Sequence, residues 1–263
     1  MSPPARRDAQ LTTEEKILVA TEKAFALSEL DTPSATDIAR LAGQANSAVV
    51  NYYFKTRDNA VQEARNFRNI AINQFRGRLI ARYERIRGLE EAGLFDLLFL
   101  LLAPTVAVVK LSLPESYHAR FVQRLNSYNL TGYEKAVSEE WAAPAQRVME
   151  TLVKALSNEL GVDGAMTSML IAQPAIAPGL AGIEEQAMKV CDYEGHAKAL
   201  ANVDELLVKF VSFVTSGILK KPCLSAIGEA EMLEIMNDEL GTAPPDFRFH
   251  IKESSGVNLG EFI

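Results

Sequence analysis

A chain of 263 residues with 48% apolar residues can bury a substantial core without staples. Its two cysteines, Cys191 and Cys223, stand in no CxxC or Cys/His cluster, which excludes a disulfide framework and a zinc-ribbon site and fits a reducing, cytoplasmic setting. The net charge of −7 speaks against nucleic acid as a partner of the chain as a whole, yet residues 1 to 87 hold 14 Lys+Arg against 10 Asp+Glu while the rest holds 13 against 24, an asymmetry that predicts a nucleic-acid contact at one end and another task at the other.

Residues 1–11 lack the apolar stretch of a secretory signal and read as a flexible arm, whose Arg6 and Arg7 are more simply solvated than placed in a minor groove. From Thr13 to Ser28, Ile17, Leu18, Thr21, Ala24 and Phe25 recur at helical spacing, with Glu14 and Glu15 in the first turn, where the helix dipole favours anions. Leu30-Asp31-Thr32-Pro33 breaks the pattern. Ser34-Ala35-Thr36-Asp37 has the form of a capping box, opening a second helix that runs through Ala42 and is closed by Gly43. Asn46 caps a third short helix to about Phe54, and Thr56-Arg57-Asp58 starts a fourth that continues to about Arg87. Two short helices joined by a Gly-containing turn behind a supporting helix form a helix-turn-helix, whose second member enters the major groove of DNA.

Beyond Gly88 the chain reads as further helical windows: 94 to 113, 115 to 130, 132 to 160, 164 to 181, 196 to 219 and 225 to 240. The first is long enough to span a membrane but contains Asp96, Pro104 and Lys110, so burial between helices is the expectation, with no membrane partner. The fold class is therefore all-α: a helix-turn-helix DNA-binding domain over 12–57, a larger helical body over 58–241, and a tail over 242–263. That tail carries Pro244-Pro245 and alternating Phe247 to Ile251, and is either an extended latch or a disordered terminus.

On the third helix, at about 100° per residue, Val50 and Phe54 share one face and should turn inward. The opposite face carries Ala48 and Tyr52, flanked by Val49 and Asn51, with Tyr53 near one edge. A small Ala48 permits close approach to base edges, Asn51 has the donor and acceptor for a bidentate contact with adenine, and Tyr52 offers a ring to a thymine methyl and a hydroxyl to phosphate.

Ala42 to Phe54, AGQANSAVVNYYF, followed by Lys55-Thr56-Arg57-Asp58, resembles the recognition region of the TetR family of transcriptional regulators, and the likeness extends over roughly residues 12 to 64. It departs from the usual pattern in Tyr53, where a histidine is common, and in one extra residue in the turn after Gly43. The resemblance implies that Asn51, Tyr52 and Tyr53 touch bases or phosphates and that Arg57 touches phosphate; Asn46, Ser47, Ala48, Val49, Lys55 and Thr56 complete the expected DNA-binding set. It also implies a homodimer on a palindromic operator, released by a small-molecule effector, and the apolar residues of the middle helices point to a hydrophobic one. For the two-fold interface the candidates are Met166, Met169 and Leu170 on one apolar stripe and Leu206, Phe210 and Phe213 on another. For the effector pocket they are Phe99, Tyr117, Phe121, Tyr128 and Gln173.

No enzyme constellation is visible, since His118, His196 and His250 are isolated and HExxH, GxSxG, Walker and GxGxxG patterns are missing; no cofactor or metal is expected. The competing reading is a helical interaction protein without DNA binding, favoured by the lack of Lys or Arg between Ser47 and Phe54.

Overall fold

The computed structural model describes residues 11–28, 32–127, 139–219 and 225–241, apart from the side chains of residues 127, 139–141, 173 and 174. The arm, the tail, Tyr128 and the side chain of Gln173 therefore lie outside the described residues. Among the described residues there are nine α-helices and no strand: α1 Thr13–Leu27, α2 Ala35–Leu41, α3 Ala48–Phe54, α4 Arg57–Ile86, α5 Leu94–Ser112, α6 His118–Ser127, α7 Glu139–Glu194, α8 His196–Leu219 and α9 Glu229–Gly241, with a 3₁₀ turn at Leu89–Glu91.

The helix ends follow local chemistry. Ser34 and Asp37 form the expected reciprocal capping box, and Thr12 with Glu15 forms a second one at the start of α1. The α7 backbone breaks at Gly161, where φ of 74° and ψ of 166° leave the helical region, so its two limbs match the separate windows read from the sequence. The second limb runs on past the expected end at Ala181 as far as Glu194, and Gly195, at φ of 88°, follows it. The residues of this extension include Glu184, which is fully buried. Its carboxylate accepts from Ser116 Oγ at 2.7 Å and from the backbone N–H groups of Ala119 and Arg120 at 3.1 and 3.0 Å, so a distant side chain caps the first turn of α6.

Two hydrophobic cores result. The smaller contains Ile17, Phe25, Ile38, Val50 and Phe54, and is completed by Ala60, Val61 and Ala64 of α4 and by Phe121 of α6. The larger gathers α5 with the rest of α4 and with α7, α8 and α9 around Phe75, Tyr83, Phe95 and Phe99. Helix α4 belongs to both, and at 30 residues it is about 45 Å long.

Both α5 and α7 contain windows long and apolar enough to cross a membrane; that of α5 is 89% buried in the bundle and that of α7 25%. The polar residues of α5 have partners: Asp96 accepts from Tyr83 Oη at 2.8 Å and from Ala226 N at 3.1 Å, and Lys110 Nζ donates to Asp204 and Asn237 at 2.7 and 2.5 Å.

Where α1, α4 and α6 meet, three charged or ionisable side chains are buried together. Arg68 Nε donates to Glu22 Oε2 at 2.9 Å, and His118 Nδ1 lies 3.5 Å from the same oxygen. Burial alone would push the Glu22 carboxyl up, but the Arg68 guanidinium and then His118 outweigh it and hold it at about 2, against 4.5 for a free glutamate. A depressed carboxyl adds stability above its unfolded pKa and loses it as pH falls toward the folded value. Stability should therefore decline between about pH 4.5 and 2, by about 3 kcal/mol from this group. Urea unfolding across that range should show a flatter acid limb in Glu22→Gln, which should also cost about 3–5 kcal/mol at neutral pH by removing the carboxylate that pairs with buried Arg68.

Candidate nucleic-acid interface

The turn between α2 and α3 is a complete Schellman motif: Gln44 N donates to Ala39 O at 2.9 Å and Gly43 N to Arg40 O at 3.1 Å, with Gly43 at φ of 69°. A Cβ at that φ would be strained, so the glycine belongs to the turn itself. Asn46 Oδ1 accepts from Ala48 N at 2.9 Å and so caps α3, whose first turn closes through three-residue bonds from Val49 N to Asn46 O and from Val50 N to Ser47 O, both 3.2 Å.

Within α3 the split between faces is sharp. Val50 and Phe54 are 0% and 5% exposed and lie in the smaller core, whereas Ala48, Asn51 and Tyr52 face outward, Tyr52 at 80%. Tyr53 stands edge-on to Tyr52, their ring centres 5.0 Å apart, and Val49 and Ser47 are half-buried. Asn46, Lys55 and Thr56 are exposed. The residues singled out from the sequence are thus brought onto one edge of the molecule, around the start of α4.

The α3–α4 junction is tightly specified. Lys55 has φ of 66° and ψ of −42°, and Thr56 N donates to Phe54 O at 2.8 Å, closing a γ-turn centred on a positive-φ lysine. Phe54 O also accepts from Asn59 Nδ2 at 2.9 Å, while Thr56 Oγ1 caps α4 by accepting from Asn59 N at 3.1 Å. Arg57 is turned toward its neighbour, with Nε and Nη2 at 2.9 and 2.7 Å from Asp58 Oδ1.

Electrostatically the sequence asymmetry is redistributed. Residues 12 to 57 hold 5 Lys+Arg against 6 Asp+Glu, so the positive excess of the first 87 residues rests mainly on α4. There Arg68 pairs with Glu22, Arg78 with Glu239 and Arg82 with Asp238, and just past its end Arg87 pairs with Glu91. These cations tie α4 to its neighbours and to the 3₁₀ turn that follows it. Near the α3 face stand Arg40, paired with Asp37 at 3.1 Å, Arg57, paired with Asp58, and the exposed Lys55.

The proposed effector residues do not converge. Phe99 is stacked on Phe95 in the larger core, their ring centres 6.1 Å apart, whereas Phe121 packs edge-on against Phe25 in the smaller one. Tyr117 sits under the ammonium of Lys23, 4.9 Å from its ring centre. The reason is the orientation of α6: its Phe121 is turned onto Phe25 of α1, and Tyr117, just ahead of α6, lies beside Lys23 of the same helix. Among the described residues no three His, Cys, Asp or Glu side chains gather to hold a metal.

The interface candidates divide by exposure. Met166, Leu170 and Phe213 are 56%, 67% and 75% exposed, with Val162 and Ile171 beside the first two on α7. Met169, Leu206 and Phe210 are half-buried against the chain's own core, and Gly179 leaves room where any Cβ would run into the Phe210 ring. Phe213 also lines an open groove of about 930 Å³ between α8 and α9, with Val208, Ser212, Ala230 and Leu233.

Because Lys55 already bears the cost of about 1–2 kcal/mol for a non-glycine residue at positive φ, and a β-branched residue bears more, Lys55→Val should destabilise the protein by the difference between the two in chemical denaturation. Lys55→Gly should match or exceed the original stability. No protein-family model matches the chain, and the comparison with curated proteins found no relative.

Proposed function

We propose that the chain is a TetR-type, ligand-responsive transcriptional repressor, in which a helix-turn-helix reads DNA and a larger helical body dimerises and takes up a small-molecule effector. The observation that carries this reading is the α3 face. Ala48, Asn51 and Tyr52 are presented to solvent on a short helix anchored by buried Val50 and Phe54 behind a two-helix turn. In this reading Asn51 contacts adenine, Tyr52 and Tyr53 contact bases or phosphates, and Lys55, Thr56 and Arg57 contact phosphate.

The dimer is supported by exposed Met166, Leu170, Ile171 and Phe213, apolar surface that a second copy would cover. Two copies would present two α3 helices to successive major grooves, roughly 34 Å apart. An effector acts by favouring a conformation with the wrong spacing, and α4 is the lever because it runs from Thr56 through both cores. A cytoplasmic protein that turns over no substrate is part of the same reading. The near-neutral charge of residues 12 to 57 favours the competing one, a helical dimer without DNA binding.

Fluorescence anisotropy with DNA from the protein's own promoter region, titrated at several salt concentrations, separates the two. With two cations on each subunit assigned to phosphate, Lys55 and Arg57, the log–log salt slope for a dimer should be about −4. Asn51→Ala should cost about 1–3 kcal/mol at selected base pairs, and Arg57→Ala should weaken all sequences alike and reduce the slope by about 1 per subunit. No salt-sensitive affinity for any segment of that region would hand the case to the dimer without DNA binding. Independently, Leu170→Glu with Phe213→Glu should convert the dimer to a folded monomer in light scattering.

A further inference from the structure

Arg76 lies in the middle of α4 with 6% of its surface exposed, flanked on the helix by Ile72, Leu79 and Ile80, none above 3%. Its Nη2 donates to Leu101 O at 2.9 Å and its Nη1 to Asn73 Oδ1, while Nε has no acceptor. No carboxylate among the described residues pairs with it. Other inward-facing cations are matched: Arg68 by Glu22, Lys110 by Asp204 and Arg120 by Glu184.

Burial is the cause that acts on the guanidinium, and it pulls the pKa down to about 10, which leaves Arg76 charged at neutral pH. A buried charge held only by neutral acceptors is costly, and such groups are ordinarily paired. The missing N–H of Pro104 interrupts the ladder of α5 at Leu100 O, one residue before the carbonyl of Leu101 that Arg76 uses. Arg76 is thus bound to backbone at a loosened point of α5, with one prong of its planar fork unused.

We propose that Arg76 is the anion-binding group of a ligand site between α4 and α5, and that the ligand is a monocarboxylate with an apolar body. A carboxylate matches the planar fork and takes the idle Nε together with an N–H of an adjoining nitrogen. One guanidinium suits one negative charge, and Ile72, Leu79, Ile80 and Leu101 suit an apolar body. The binding step stands without the DNA-binding reading. That occupancy is felt at DNA rests on it, because α4 carries Arg76 and begins at the α3 face.

Decanoate, with decanol as the uncharged probe of equal length, tests the site by calorimetric titration and thermal unfolding of the full chain. Decanoate should bind the wild type and raise its Tm, and decanol should bind about tenfold more weakly or worse. Arg76→Met should unfold at the same or a higher temperature than the ligand-free wild type and lose the response to decanoate; Arg76→Gln serves the same comparison if the methionine variant fails to fold, and Arg76→Lys should keep part of the response. Equal binding of the two probes, a decanoate response undiminished in Arg76→Met or Arg76→Gln, or no response to hexanoate, decanoate or dodecanoate overturns the proposal. DNA anisotropy with and without decanoate is read separately: decanoate binding without DNA binding leaves the site standing and removes the repressor reading.

Discussion

A helix of seven residues has almost no stability of its own, because nucleation consumes most of what its few hydrogen bonds return. What holds α3 in place is the burial of Val50 and Phe54, one turn apart, against Ile17, Phe25 and Ile38. Once those two side chains are inside, the geometry of a helix sends Ala48, Asn51 and Tyr52 outward together. The flanking devices serve this one constraint. Gly43 turns the chain in, Asn46 caps the first turn, and the γ-turn at Lys55 redirects it within one residue into α4. Strain at a positive-φ lysine persists because Phe54 below it and Asn59 beyond it fix both sides of the turn.

The same economy governs charge. Cations on a long helix between two cores have two uses, attraction of an external anion and attachment to neighbouring helices, and each arginine can serve only one at full strength. On α4 attachment prevails for Arg68, Arg78 and Arg82, whose partners lie on α1 and α9. The positive excess of the first 87 residues is therefore a property of how the molecule is joined, and the α3 face is left with few cations.

Much of the helical layout was legible because helix ends are written in nearby residues: Ser34 with Asp37, Gly43, Thr56 and the break at Gly161 all act within a turn of where they stand. The inward turn of Val50 and Phe54 was legible for the same reason, since it needs only helical spacing and hydrophobicity. The distribution of aromatic residues was not. Whether Phe121 and Tyr117 face a cavity or α1 depends on how α6 is rotated, and that is fixed by Glu184, a residue of α7 that gave no local sign of being buried. The extension of α7 to Glu194 was missed through the same residue, because an inward carboxylate interrupts the apolar pattern that marks a helix face.

Helix α4 is where these threads meet. Its first turns complete the smaller core, Arg68 is locked to Glu22 beside His118, and two turns further on Arg76 faces α5 without a counter-ion among the described residues. A rigid helix gripped by a matched charge at one level and carrying an unmatched one at the next cannot answer an anion at Arg76 by local relaxation alone, because close-packed neighbours transmit displacement. Any shift at Arg76 is applied to the Glu22–Arg68 pair, and through α1 and the start of α4 to Val50 and Phe54. In the proposed repressor, the side chains that hold α3 in the fold are thus the ones through which the body would act on its exposed face.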